Sequence, residues 1–310
     1  MNNSIIDEIC FINFNKYPNE IKRFEIGYGN YVYRICFGEN NFVIRINSDE
    51  SAYKDTIYWL DKLKGLEIPV PKVIYKGRYD TLSYLILNHI DGDDLGNVYG
   101  NLSTEEKKGI AREIVNIQNV VATLPRNRGY GYLTSYDDEN YKKCWKDVII
   151  KHLDRSRNGI KENKIFDYKK VEKVEKLLDK YDKYLSAIKP IPFLDDLSSK
   201  NVLINEGKLS GVIDFDWICF GDKMYYVALT NMALISLGYD TEYIEFLMEE
   251  MKASEIEREI LRLYTLAFCV DFMAEKGMKF KDKIVKVVQN EIELLNRVYE
   301  EIYSELTVNL

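Results

Sequence analysis

Proline and glycine are scarce in this chain, 6 and 17 among 310 residues. With 46% hydrophobic residues, that scarcity points to a folded, helix-rich protein without low-complexity tracts. No apolar run approaches the roughly 18 residues of a membrane span. The opening MNNSIIDEICFINF lacks a basic segment and a long apolar core, so no leader is expected and a cytoplasmic location is. The cysteines (Cys10, Cys36, Cys144, Cys219, Cys269) are five, an odd number, with no C-x-x-C spacing. This excludes a disulfide framework and a zinc site, and leaves buried thiols in a reducing compartment. Positive charge is also in deficit. A net charge of −7 disfavours nucleic acid, whose phosphates demand concentrated cations, and suits a cationic small molecule. At this length the chain forms one large domain or two lobes, each with a core, as a monomer or homodimer.

What is present concentrates in residues 193–216, FLDDLSSKNVLINEGKLSGVIDFD. Asp196 and Asn201 lie in a polar loop. An apolar run over 202–204, the turn Asn205-Glu206-Gly207-Lys208 and a second run over 209–213 follow, ending on Asp214. The pattern predicts a loop feeding a β-hairpin. The loop offers a carboxylate to receive a hydroxyl proton and a carboxamide to bind a metal; the hairpin returns a second carboxylate to that metal. Phosphoryl transfer asks for these parts, because its transition state needs in-line positioning and charge neutralisation more than covalent help. Each residue taken alone is also an ordinary turn former. It is the three together, at this spacing, that carry the reading.

The internal spacing matches the kinase signatures D-L-x-x-x-N and D-F-G. Here the chain resembles the aminoglycoside phosphotransferases and their choline-kinase-like relatives, small-molecule kinases of the protein-kinase fold. Such proteins show H-G-D, a short loop with Asn, I-D-[WF]-x-[DE] and a following G-D. This sequence has Leu194-Asp195-Asp196, Asn201, Ile213-Asp214-Phe215-Asp216 and Phe220-Gly221-Asp222. It departs at Leu194, where the family has histidine, and at Asp195, where the family has a small residue. The resemblance implies Asp196 as catalytic base, Asn201 and Asp214 on Mg²⁺, ATP or GTP as donor, and a structural Asp222.

Upstream, strands are expected over 24–26, 31–37 and 42–46, after a helical entry. Gly27 and Gly29 flank a turn whose bare backbone would let N–H groups approach phosphates, or which has glycine for steric reasons alone. Alternation puts Phe42, Ile44 and Ile46 on one face of a strand and Val43 and Arg45 on the other. By the kinase pattern Val43 would pack on the nucleotide base and Arg45 would stand for the phosphate-binding lysine, unless Arg45 is simply exposed. A helix over 48–64 would supply its acidic partner, with Asp55 the candidate and Glu50 the runner-up. Residues 68–74 should form an edge strand because of their prolines. Residues 82–90 should form a strand ending in a hinge, where the backbone of Asn88, His89 and Ile90 would read the base. A single histidine makes no metal site.

The remainder reads as helical. Ser103 to Glu106 and Ser254 to Glu257 are capping boxes, helices are expected over 142–153, 168–187 and 225–237, and a surface loop near 155–164. On the helix after Ser254, Asp271 continues an apolar stripe and Glu275 follows one turn later. They would hold a cationic acceptor, or else ride the stripe's solvated edge or pair with a nearby Lys. The expected fold is α+β, protein-kinase-like, with an N-terminal sheet lobe over 1–90 and a helical lobe over 91–310. The expected activity is phosphorylation of a small-molecule hydroxyl, with no nucleic-acid or membrane partner. The alternatives are choline, a sugar or an amino alcohol as acceptor, with an aromatic box of Trp217 or Trp145 pointing to choline through cation–π contact, or a non-catalytic nucleotide binder.

Overall fold

The computed structural model describes residues 3–24, 30–280 and 283–308. Helix α1 (Asn3–Phe14) precedes strands β1 (Glu20–Arg23), β2 (Tyr31–Phe37) and β3 (Asn40–Asn47); helix α2 (Lys54–Leu63), β4 (Val73–Tyr79) and β5 (Leu82–Asn88) follow. The strands form one five-stranded sheet in the order β1-β2-β3-β5-β4. Strand alternation sends Tyr33, Ile35, Ile44, Ile46, Tyr84 and Ile86 to one face, covered by Ile6, Ile9 and Cys10 of α1. Val43 and Arg45 share the other face with their cross-strand partners Leu87 and Leu85.

Two expectations shift here. The first strand lies at 20–23 rather than 24–26, because Glu20 to Arg23 pair with Cys36 to Tyr33; the Gly27 to Gly29 turn falls outside the described residues. The edge strand is β4 and begins only at Val73, since Pro69 and Pro71 have no N–H to give a ladder. The Pro69 carbonyl instead accepts the Val212 N–H at 2.9 Å, fastening this segment to the second lobe.

That lobe contains β6 (Asp93–Asp94), α3 (Leu95–Val98), α4 (Thr104–Val121), β7 (Gly131–Leu133), α5 (Trp145–Asn163), α6 (Lys169–Lys180) and α7 (Asp182–Ala187). Then come β8 (Ile191–Phe193), β9 (Val202–Asn205), β10 (Lys208–Val212), β11 (Ile218–Gly221), α8 (Met224–Ser236), α9 (Glu242–Glu250) and α10 (Glu255–Glu275). Strands β12 (Lys279–Phe280) and β13 (Lys283–Ile284) and helix α11 (Gln289–Thr307) close the order. Two small sheets, β10-β9-β6 and β7-β11-β8, sit among the helices.

Both capping boxes form, opening α4 and α10. The expected loop near 155–164 is the second half of α5. Its charged residues ride the outer side while Ser156, Gly159 and Ile160 are buried; a Cβ on Gly159 would come within 2.9 Å of the Ala274 Cβ on α10. The two lobes share an apolar floor: Tyr53, Trp59, Leu60, Leu63, Leu85 and Leu87 belong to the same core as α4, α5, α8 and α10. Trp59 is wholly buried, and its Nε1 donates to the Leu133 carbonyl at 2.9 Å. Such a side chain contributes roughly 1.5–3 kcal/mol by burial, so α2 is anchored from below. No helix among the described residues is long and apolar enough to cross a membrane.

Candidate active site

The hairpin β9–β10 turns through Glu206 and Gly207, both at positive φ (49° and 74°), the two-residue turn whose twist suits antiparallel strands. Its two ends meet. The Ile213 N–H donates to the Asn201 carbonyl at 3.0 Å, so Asp214 leaves the hairpin beside Asn201. The Asn201 Nδ2 in turn donates to the Asp196 carbonyl at 3.0 Å, and Ser198 Oγ donates to Asp196 Oδ1 at 2.6 Å. Asp196, Asn201 and Asp214 are thereby gathered at one point. Asp214 is held at φ 72°, in the left-handed region that aspartate tolerates better than most residues.

Arg45 reaches this point from β3. Nearly buried, its guanidinium lies 3.2 Å from Asp214 Oδ1 and 3.5 Å from Asp216 Oδ1, over the Tyr53 ring. Thr56 of α2 donates its hydroxyl to Asp216. The acid that fixes Arg45 is therefore not the expected Asp55 but the aspartates of the Ile213-Asp214-Phe215-Asp216 run. Asp55 lines a hollow of about 330 Å³ with Lys54, Tyr58, Lys76 and Thr134, and Glu50 pairs with Arg78. Helix α2 still contacts the site, through a hydroxyl.

Burial by the cleft walls raises the carboxyls of Asp196 and Asp214 above the usual range; Asp214 adds to the first, and Asp216, against Arg45, to the second. Solvent still reaches Asp214, whose side chain is 51% exposed, so the burial penalty is only partial. A cation at this point would relieve it. Among the described residues no three His, Cys, Asp or Glu side chains form a self-sufficient metal cluster.

Leu194, where a histidine was expected, is held by its backbone. Its N–H donates to Gln118 Oε1 at 2.9 Å and its carbonyl accepts Gln118 Nε2 at 2.7 Å. Gln118 lies on α4, 3% exposed. The sequence carries a signal for it, a polar amide four residues past Ile114 and three before Val121 on an apolar stripe, which must find partners when buried. Asp195 is half-buried and accepts Trp217 Nε1 at 3.3 Å; burial and then Asp196 push its carboxyl up to about 7. Asp222 is structural as expected. Its carboxylate accepts the Met224 N–H at 3.0 Å and the Tyr264 hydroxyl at 2.9 Å, and burial raises it to about 6.

The remaining candidates are distributed unevenly. Val43 packs half-buried against the shared core. The N–H groups of Asn88 and His89 are spent on the Lys72 and Asn41 carbonyls (3.1 and 3.2 Å), which leaves Ile90 as the hinge donor of the three; His89 contacts Asp91. Asp271 is locked internally. Arg155 Nη2 lies 2.9 Å from both of its oxygens, Ser156 Oγ donates at 3.0 Å, and His152 Nε2 sits 3.1 Å away in an ion contact not aligned as a hydrogen bond. Despite the burial penalty, His152 and Arg155 bring its carboxyl down to about 2. Glu275 is exposed, its carboxyl raised first by partial burial and then by Asp271, against Arg155 and Lys200. Trp145 is wholly buried and donates to Tyr264, so of the two tryptophans proposed for an aromatic box only Trp217 is open to a ligand.

Similarity to known proteins agrees with this geometry. The chain is similar to an aminoglycoside 3'-phosphotransferase of Enterococcus faecalis, 22% identical over 227 residues that span 70% of this chain and 81% of that protein. It is also similar to a hygromycin-B 4-O-kinase of Escherichia coli, 24% identical over 242 residues, 76% of this chain and 68% of that one. A crystal structure of a thermostable mutant of aminoglycoside phosphotransferase APH(4)-Ia, in ternary complex with AMP-PNP and hygromycin B, shares the fold with TM-score 0.69 at 18% identity, covering 98% of this chain and 99% of that one. The model of the phosphotransferase enzyme family matches residues 20–251, from β1 through the end of α9, and the chain belongs to that family.

Proposed function

We propose that the protein transfers the γ-phosphoryl group of ATP or GTP to a hydroxyl of a small cationic, aminoglycoside-like acceptor. The observation that carries this is the meeting of Asp196, Asn201 and Asp214 at the hairpin base, with Arg45 directed onto the same point from the sheet. In this reading Asp196 orients the acceptor hydroxyl and takes its proton late in transfer, held in place by Ser198 and by the Asn201 bond beneath it. Arg45 would bind the donor phosphates; a forked guanidinium suits several oxygens at once. The Gly27 to Gly29 turn would cover those phosphates, Val43 would pack on the base, and Ile90 would contact its edge.

Asn201 and Asp214 suit Mg²⁺. The ion takes hard oxygen ligands and usually only one or two from protein, the rest coming from phosphates and water. The Asn201 amide nitrogen is spent on Asp196, leaving the carboxamide oxygen, and Asp214 supplies a carboxylate. When bound, Mg²⁺ would neutralise phosphate charge. Asp271 serves stability in this reading, while Glu275 remains a candidate for the acceptor side.

The test is steady-state phosphoryl transfer from ATP and GTP to a panel of aminoglycosides and amino alcohols, across a magnesium titration. Asp196→Asn should lower kcat by roughly 10²- to 10⁴-fold with nucleotide affinity retained. Asp214→Asn should lose activity that high magnesium partly restores. Wild-type turnover in both variants would end the proposal.

A further inference from the structure

Three side chains outside the transfer machinery converge beside it. Strand β11 pairs β8 with Cys219 opposite Phe193; continuing that register by two residues sets Trp217 opposite Asp195. On its other edge β11 pairs β7 with Cys219 opposite Tyr132. Alternation along strands carries residues two apart to one face, so the sheet delivers Tyr132, Trp217 and Asp195 to one end of it, immediately before Asp196. The Trp217 and Tyr132 rings meet edge to face, centroids 6.1 Å apart, and are 44% and 37% exposed. Large aromatics open to solvent at the mouth of a reactive loop cost hydrophobic free energy that a ligand would recover.

Asp195 is equally unexplained by the fold. A half-buried carboxylate needs partners, and the indole N–H at 3.3 Å is a long one. The fold did not require an acid there either, since the neighbouring backbone is already clamped by Gln118.

We propose that Asp195, Trp217 and Tyr132 form the subsite that grips an ammonium group of the acceptor, with the Asp195 carboxylate on the charge and the sugar or cyclitol ring against the indole. This rests on the phosphotransferase reading above and names its specificity. The raised carboxyl of Asp195 agrees, because a bound cation relieves that penalty. Arg155 is the cation that acts on Tyr132 from α5, and it is already paired with Asp271.

Two measurements test this. The first compares kinetics for hygromycin B and other aminoglycosides with those for their N-acetylated counterparts, which keep the ring and lose the charge. Asp195→Asn should raise KM for the free amines by about 10- to 100-fold, the loss of one charge-assisted contact, and leave the acetylated compounds unchanged. Trp217→Leu should weaken both. The second needs no turnover. Trp59 and Trp145 are wholly buried, so acrylamide quenching of fluorescence reports Trp217; the free amine should protect it in wild type but not in Asp195→Asn. Equal KM effects on amine and acetylated acceptors, or equal protection in the variant, overturn the subsite. Abolished turnover with every acceptor in Asp195→Asn, with protection intact, would make Asp195 the base and overturn it too. Absence of transfer by the wild type, with protection still dependent on Asp195, would overturn the phosphotransferase reading alone.

Discussion

Asp271→Asn should unfold the protein several degrees earlier and leave acceptor kinetics almost untouched. Its carboxyl falls from the usual 3.8 to about 2 in the fold, despite a burial penalty acting the other way. At about 1.36 kcal/mol per pH unit, that drop is roughly 2.5 kcal/mol of stability at neutral pH. Removing one partner of a buried pair costs about 3–5 kcal/mol when the other is stranded. Here Arg155 is 71% exposed and stays hydrated, so the lower figure applies. The folded pKa lies below the unfolded one, so the contribution is fully present above about pH 4 and is lost as pH falls toward 2. Near pH 7 Asp271 itself is fully ionised, so the whole contribution is present there. Thermal unfolding at that pH should show a midpoint lowered on the order of 5 °C, with the acceptor KM within about twofold of wild type. An unmoved midpoint together with a tenfold rise in KM for cationic acceptors would refute the reasoning and return Asp271 to the substrate.

Two further outcomes follow from residues around the loop. Gln118→Met keeps volume but strands a buried N–H and carbonyl at Leu194, each costing about 1–3 kcal/mol. It should lower both the unfolding midpoint and kcat, with nucleotide KM unchanged, and Gln118→Glu should recover only part, since a carboxylate accepts but does not donate; full activity in Gln118→Met would show that the loop does not need this clamp. Arg45→Ala should chiefly raise KM for nucleotide, because it removes a phosphate contact while leaving Asn201 and Asp214 in place; unchanged nucleotide kinetics would make Arg45 only the structural partner of Asp214 and Asp216.

The sequence by itself determined what depends on neighbours in the chain. Alternation separated Phe42, Ile44 and Ile46 from Val43 and Arg45, positive-φ chemistry at Asn205-Glu206-Gly207-Lys208 closed the hairpin, and the boxes at Ser103 and Ser254 opened two helices. The motif spacing around Asp196, Asn201 and Asp214 survives folding because the hairpin joining them is local. Partner choice is different. Arg45 took Asp214 and Asp216, some 170 residues away in sequence, over the nearby Asp55, because the packing of α2 on the shared core turns Thr56 toward Asp216. Asp271 continued an apolar stripe that left its partner open, a ligand, solvent or a Lys, and only the docking of α5 against α10 supplied Arg155, Ser156 and His152. Trp145 and Trp217 are equally aromatic as letters; one became core and the other surface when β11 took its place between β7 and β8. Local backbone preference is written within a few residues, whereas the pairing of a buried charge follows from which distant surfaces packing brings within about 3 Å.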